Sequence, residues 1–458
     1  MKAISSNLWQ SGPVVLLLSA LMACTSTPTL LVDPLSPPPL ATQSIPQVPP
    51  PRYVVCTWDG PTKSCGVVDE HGAIVIDFEA LPGRMLYGFK DGYAVVRLDR
   101  DGEVREMLID SDGKTVLEPL YASVGLPSEG LVVVREVDGL CGYADTTGAM
   151  VLEPQWPSCE AFSEGRARVF ETVEDFVERH GFIDTSGQWV VEPQYQDADD
   201  FHNGRARVCI KLDCGYIDLD GHPITEFEFF YGYADDFFNG MAFVGDGESA
   251  DTVHYGYVDT AGKLIWPMKF ATHNRFTADG LAVAGLYNEY QLYTHHPPRA
   301  SPVGYIRTDG TWAIEPNLIK GDDFSEGLAF VETKEGWRGY IDVHGSQVLA
   351  ADYGMPFSAG LAHMAFDSDC DSSCGCWTFA DRDGSAAFPF VVTNGFFNPF
   401  DENGIARVEI EPYNDVYSEV LLHRERGIIW PPSWDEPGVG SPNVVCWPES
   451  EKGEGSPQ

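Results

Sequence analysis

Apolar and polar residues alternate along this chain in short bursts, and no segment carries a long 3.6-residue apolar rhythm bounded by caps; the best helical candidate, Glu174 to Arg179, is only a turn or two. In Gly181-Phe-Ile-Asp184-Thr-Ser-Gly187-Gln-Trp-Val-Val191, two β-forming runs, Phe182-Ile183 and Trp189-Val190-Val191, flank Asp-Thr-Ser-Gly. Asp at the first turn position accepts backbone hydrogen bonds, and Gly at the fourth takes the positive φ that closes a hairpin. The pattern predicts strand, turn, strand. Pro193, matched by Pro119, Pro154, Pro267 and Pro316, has no N–H for a ladder and is expected to end the second strand. A loop with a buried aromatic plug follows: Phe89, Phe162, Phe201, Phe237, Phe324 and Phe357 stand three residues before a glycine, Phe276 and Phe400 four before theirs. A third strand begins at that glycine, as in Gly165-Arg-Ala-Arg-Val169, Gly204-Arg-Ala-Arg-Val208 and Gly327-Leu-Ala-Phe-Val331. Its period-two alternation turns one face closely onto the adjacent unit and the Arg or Phe positions the other way.

The same phrase recurs with turn glycines at 72, 113, 148, 187, 221, 262, 310, 345 and 384, at intervals of 34 to 48 residues. A fixed period of this size marks a tandem array. One meander cannot bury a core, so the nine units are expected to form one cooperative domain over residues 52–430. The fold class is all-β, built from tandem three-stranded antiparallel meanders. Three strands per unit and uneven spacing suit an open, solenoid-like stack; the alternative is a propeller-like closed ring, whose blades usually have four strands. Tyr287 to Pro302, with His295-His296, and Asp367 to Cys376 depart from the pattern and are expected to protrude as loops.

With Gly-Tyr-Ile-Asp-x-x-Gly (residues 215–221 and 339–345), the trailing Val-x-Glu-Pro-x-Tyr and the Phe-x-x-Gly-x-Ala-x-Val coda in place, the chain resembles WG-repeat (KWG-repeat) proteins over roughly residues 53 to 430. The closest copies are Gly181 to Val208 and Trp337 to Leu349. The tryptophan that usually precedes the repeat glycine is replaced by Cys65, Cys141, His180, Cys214, Tyr255, Val303 and Arg338. The resemblance implies a repeated β scaffold that mediates binding, and it brings no catalytic motif.

The ends carry an address. Residues 1–23 read as a signal peptide, with Lys2 before the apolar run Pro13 to Met22. Leu21-Met22-Ala23-Cys24 resembles the lipobox of bacterial lipoproteins, in which Cys24 would take the lipid. Residues 24–51, rich in Pro, Ser and Thr, read as lipid anchor and extended tether, and residues 431–458 as a C-terminal strap and disordered tail. The expected location is the cell envelope, lipid-anchored at the outer membrane or periplasmic face. The formal charge is −40; removing residues 1–23 removes one base, leaving 28 against 69 acids, or −41. Such a surface excludes nucleic acid as a partner and serves solubility; loose binding of divalent cations is its other reading.

Eleven cysteines in an exported chain argue for disulfides. Cys56 with Cys65 and Cys209 with Cys214 sit across tight connections and are expected to pair. Cys370, Cys374 and Cys376 are crowded; Cys370 and Cys376 are candidates, and one of the three must look to Cys141, Cys159 or Cys446. No histidine at ligand spacing completes a zinc site with them. Asp99-Arg-Asp101-Gly102, Asp110-Ser-Asp112-Gly113 and Asp218-Leu-Asp220-Gly221 imitate the start of a calcium loop, but lack its downstream ligands and are explained as hairpin turns. No metalloprotease, serine-nucleophile or phosphate-loop motif is present. No catalytic, cofactor or metal residue is expected. The reading is a monomeric, non-catalytic scaffold for a protein or envelope ligand, held to the membrane by its lipid; the alternative is a hydrolase or carbohydrate-active enzyme on a propeller-like scaffold.

Overall fold

The computed structural model describes residues 49–430 except for several stretches, the longest being 247–253, 287–301, 366–376 and 411–417, together with Val445–Cys446. These residues lie in one compact unit, Val48–Gln458. Cys24, the tether up to residue 48, residues 287–301 and 367–376 of the expected protruding loops, and with them Cys370, Cys374 and Cys376, lie outside the described residues.

Regular structure among the described residues is all β, in small antiparallel sheets, with no helix and no sheet closed into a barrel. Val177–Ile183 is a strand, so the end of the short helical candidate is extended chain. The hairpin turns form as their residues dictate. Asp145 Oδ1 accepts from the N–H groups of Thr147 (2.8 Å) and Ala149 (3.0 Å), and Gly148 sits at φ 89°. Asp69, Asp110, Asp184, Asp218, Asp259, Asp342 and Asp381 repeat this bonding in their own turns.

Two expectations are corrected. The coda strand opens the next sheet and does not close its own unit: Ala167–Val173 pairs with the following Val177–Ile183, and Arg205–Ile210 with Asp213–Asp218. A two-residue strand precedes it, so a typical sheet has four strands, as in Ser158–Cys159, Ala167–Val173, Val177–Ile183 and Trp189–Tyr195. Nor does proline end the second strand. Trp189–Tyr195 runs through Pro193, and the ladder passes it in a bulge: His180 faces Tyr195 while Phe182 faces Val191. The missing N–H is tolerated where pairing is already interrupted. The bulge also accounts for the repeat glycine, because a Cβ on Gly181 would lie 2.5 Å from Val191 O and 2.9 Å from Pro193 N; Gly142 and Gly304 meet Pro154 and Pro316 in the same way. Beyond the bulge the chain crosses to the next sheet. In Trp312–Gly321 it crosses without a break, and three units share a nine-stranded sheet.

A tenth unit follows the nine: Ile405–Ile410, Ser418–His423 and Gly427–Trp430 repeat the meander. Its turn lacks the aspartate, and His423 Nδ1 accepts from Glu425 N (3.1 Å) and Arg426 N (3.3 Å) in its place.

The first and last units pack together. Val55 and Val68 share a core with Ile405, Leu421, Ile429 and Trp430; Arg407 donates to Val54 O (2.7 Å) and Tyr53 Oη to Asp401 (2.8 Å). Gly148 lies against Val116 O and Gly262 against Ile224 O, each in the preceding unit, and Gly72 of the first unit lies against Ile429 O of the last. The last unit thus stands before the first as every unit stands before its successor. That contact is the one a closed ring requires and an open stack lacks, and the four-stranded sheets agree with it. Val445–Cys446 pairs with Val391–Val392, so part of the C-terminal segment returns to the array.

Candidate functional site

Most polar groups of the repeat are engaged inside the fold. The buried repeat tyrosines donate to carbonyls of the following loop: Tyr143 to Glu160 O, Tyr216 to Asp235 O, Tyr257 to Asn274 O, Tyr305 to Asp322 O and Tyr340 to Met355 O, at 2.6–2.8 Å. Each ring meets the phenylalanine plug of that loop at 4.7–5.0 Å between centroids, tilted or edge-on. Burial pushes the phenols up, so they stay protonated donors. Loop tips are linked one to the next: Ser163 donates to Phe201 O, and Gly204 N to Glu164.

The slot before the repeat glycine is a fastening point. Cys56 faces Cys65 and Cys209 faces Cys214 across their hairpins, with Cα–Cα distances of 4.0 and 4.1 Å, and both pairs are disulfides. Arg97 and Glu106 form an ion pair in the same slot (2.8 Å), Glu106 being only 3% exposed. Glu332 and Arg338 pair at 3.3 Å, and Phe170 meets His180 edge-on at 5.6 Å. Cys141 and Cys159 are bonded to each other, not to the Cys370 group, and this bond joins neighbouring sheets.

Acidic turns do not converge. Asp218, Asp220 and His222 are the one trio among the described residues whose ligand atoms lie within 4.8 Å of one another; Asp220 and His222 are exposed, and Asp218 Oδ1 already accepts both of their N–H groups. A group of partly buried carboxylates meets around Arg207. Arg207 holds Asp197 (2.9 Å) and Asp199, and Asp236, from the next loop, shares a hydrogen bond with Asp199. Burial, then the Asp199 charge, pushes the Asp236 carboxyl up to about 6. This cluster is an ion-paired junction between units.

A cavity of about 370 Å³ opens elsewhere, between the loops before Phe357 and Phe400. Its deep wall is Phe357, Phe379, Phe400 and His363, all buried, and its mouth includes the exposed Met355, Pro356, Asn398 and Pro399. None of its eleven lining residues is charged: Ser325, Ser358 and Leu361 complete it, and burial lowers His363 to about 4, leaving the imidazole neutral. Sequence reasoning missed this site. The available signal was the loop tripeptide, Asp-Asp-Phe at 199–201, 235–237 and 322–324 but Met-Pro-Phe at 355–357 and Asn-Pro-Phe at 398–400.

The model of the WG containing repeat matches residues 107–141, 142–171, 181–211 and 304–337. No curated protein matches the chain in sequence. Among solved structures, the crystal structure of BamB from Moraxella catarrhalis is similar at 9% identity and TM-score 0.29, covering 65% of this chain and 95% of that one. A putative TolB from Agrobacterium tumefaciens is similar at 13% identity and TM-score 0.22, covering 43% and 82%. What its own residues and the family comparison agree on is a β array that carries the WG containing repeat in four places.

Proposed function

We propose that the chain is a non-catalytic binding scaffold of the cell envelope, anchored through a lipid on Cys24. The observation that carries the non-catalytic reading is the separation of carboxylates from cavity. Paired acids in a hydrolase site must face a substrate-sized space; here Asp199 is held by Arg207, Asp236 bonds to Asp199, and the lining of the 370 Å³ cavity holds no acid. The envelope location is supported by three disulfides, which persist in oxidising compartments.

Two experiments test this. Cys24→Ala is expected to leave the precursor uncleaved by the lipoprotein peptidase and to abolish palmitate labelling; normal processing and membrane partitioning of the variant would remove the anchor. Against the hydrolase alternative, the Asp199→Asn, Asp236→Asn double variant is expected to complement a deletion strain as well as wild type does. Loss of complementation by a folded, normally located double variant would favour the enzyme.

A further inference from the structure

The repeats serve as one another's controls, and the comparison isolates what is different about the cavity. Asp199 N donates to Arg207 O in one unit, and Met355 N to His363 O in another, both at 2.9 Å, so Met355 stands where Asp199 stands and His363 where Arg207 stands. The residue two before, Asp197 in the first, is Tyr353 in the second. An aspartate–arginine–aspartate cluster has become tyrosine, methionine and neutral histidine. Tyr353 and Met355 are 57% and 49% exposed. The hydroxyl that ties Tyr340 to Met355 O is also missing one unit on, because Phe379 occupies the tyrosine position and faces Phe400 at 5.0 Å. Met355, His363 and Phe379 all line the cavity, so these three changes remove charge or polarity from one space, in a chain of net charge −40.

We infer that this cavity, between the loops at 355–358 and 398–400, binds a neutral, largely aromatic small molecule. Three phenylalanine rings, two prolines and the sulfur of Met355 line it, surfaces that take a ring by edge and face contacts. A cavity of roughly 150 Å³ holds benzene; by that measure about 370 Å³ accommodates a two-ring ligand. No lining residue carries a charge, and Arg382, 5.8 Å from the centroid of the Phe357 ring, is already paired with Glu326, so ligand charge is selected against. The inference names a ligand class for the proposed scaffold and rests on that reading, although its test does not.

The test is calorimetric titration of the intact mature chain with 2-naphthol, 2-naphthoate and 2-naphthylmethylamine as neutral, anionic and cationic probes of one shape. 2-Naphthol is expected to bind one site at least tenfold more tightly than either ion, with affinity constant between pH 5.5 and 8. Leu361→Trp fills the space and is expected to weaken binding at least tenfold. Met355→Glu, at an exposed position that does not endanger folding, is expected to do the same by charging the mouth. No binding to wild type, equal binding of the three probes, or unchanged affinity in folded Met355→Glu would overturn the inference. Any of these would leave the complementation result of the double aspartate variant, and the scaffold reading with it, untouched.

Discussion

At the residue scale, glycine serves two separate needs in this fold, and substitutions distinguish them. Gly181 has ordinary φ but no room, its Cβ position lying 2.5 Å from Val191 O, whereas Gly165 has open space but φ 76°. Gly181→Ala is expected to cost about 2 kcal/mol by overpacking, and Gly165→Ala about 1 kcal/mol by forcing a side chain into the left-handed region. Urea midpoints measure both, and the reverse ranking would contradict the bulge explanation. Asp236 supplies a pH test. Its folded pKa of about 6 lies above the ordinary carboxylate value of 3.8, so between those values the folded chain holds more protons than the unfolded chain. Stability from this group therefore falls as pH rises through that window. Asp236→Asn is expected to stabilise by about 1 kcal/mol at pH 7, a figure reduced for the partial exposure of the group, and by far less at pH 4. Gains equal at both pH values would refute the linkage.

At the scale of the element, one cross-strand slot accepts a disulfide, an ion pair or an aromatic contact, as Cys56–Cys65, Arg97–Glu106 and Phe170–His180 show. The backbone fixes the geometry there, and different side chains use it. The disulfides are not equivalent. Cys209–Cys214 spans a hairpin that its turn already closes, while Cys141–Cys159 joins two sheets over a separation of 18 residues. Removing the second by paired Cys→Ala substitution is expected to cost about 3 kcal/mol, and removing the first less. Denaturation of the two double variants decides, and equal losses would show that loop length and sheet connection do not matter here. Turn chemistry was legible in the residues, since Asp145, Asp184 and Gly148 act locally. Strand phase was not. Gly165-Arg-Ala-Arg-Val169 has the same pattern whether it pairs backward or forward, and only the folded chain shows its seven-residue ladder with Val177–Ile183.

For the whole molecule, closure is the property with the largest consequence. Leu421 is buried between the last unit and the first, alongside Val55 and Val68. Leu421→Ala is expected to cost about 3 kcal/mol and to speed amide exchange at Val55 and Val68, far away in sequence. Exchange that rises only within residues 405–430 would mean that the ends do not support each other.

Sequence by itself determined what depends on near neighbours: β structure from alternation, hairpins from Asp-x-x-Gly, a tandem array from the period, and the Cys56–Cys65 and Cys209–Cys214 pairings from their spacing across tight turns. Tertiary structure decided what depends on residues brought together from a distance. Proline remains inside a strand because a glycine on the neighbouring strand makes room for the bulge. His423 completes a tenth unit whose turn lacks the usual aspartate. Val55 meets Leu421 because the last unit packs on the first, a contact that no single repeat encodes. The uncharged cavity arises likewise, where Met355, His363, Phe379 and Pro399 from successive loops and strands come to line one space.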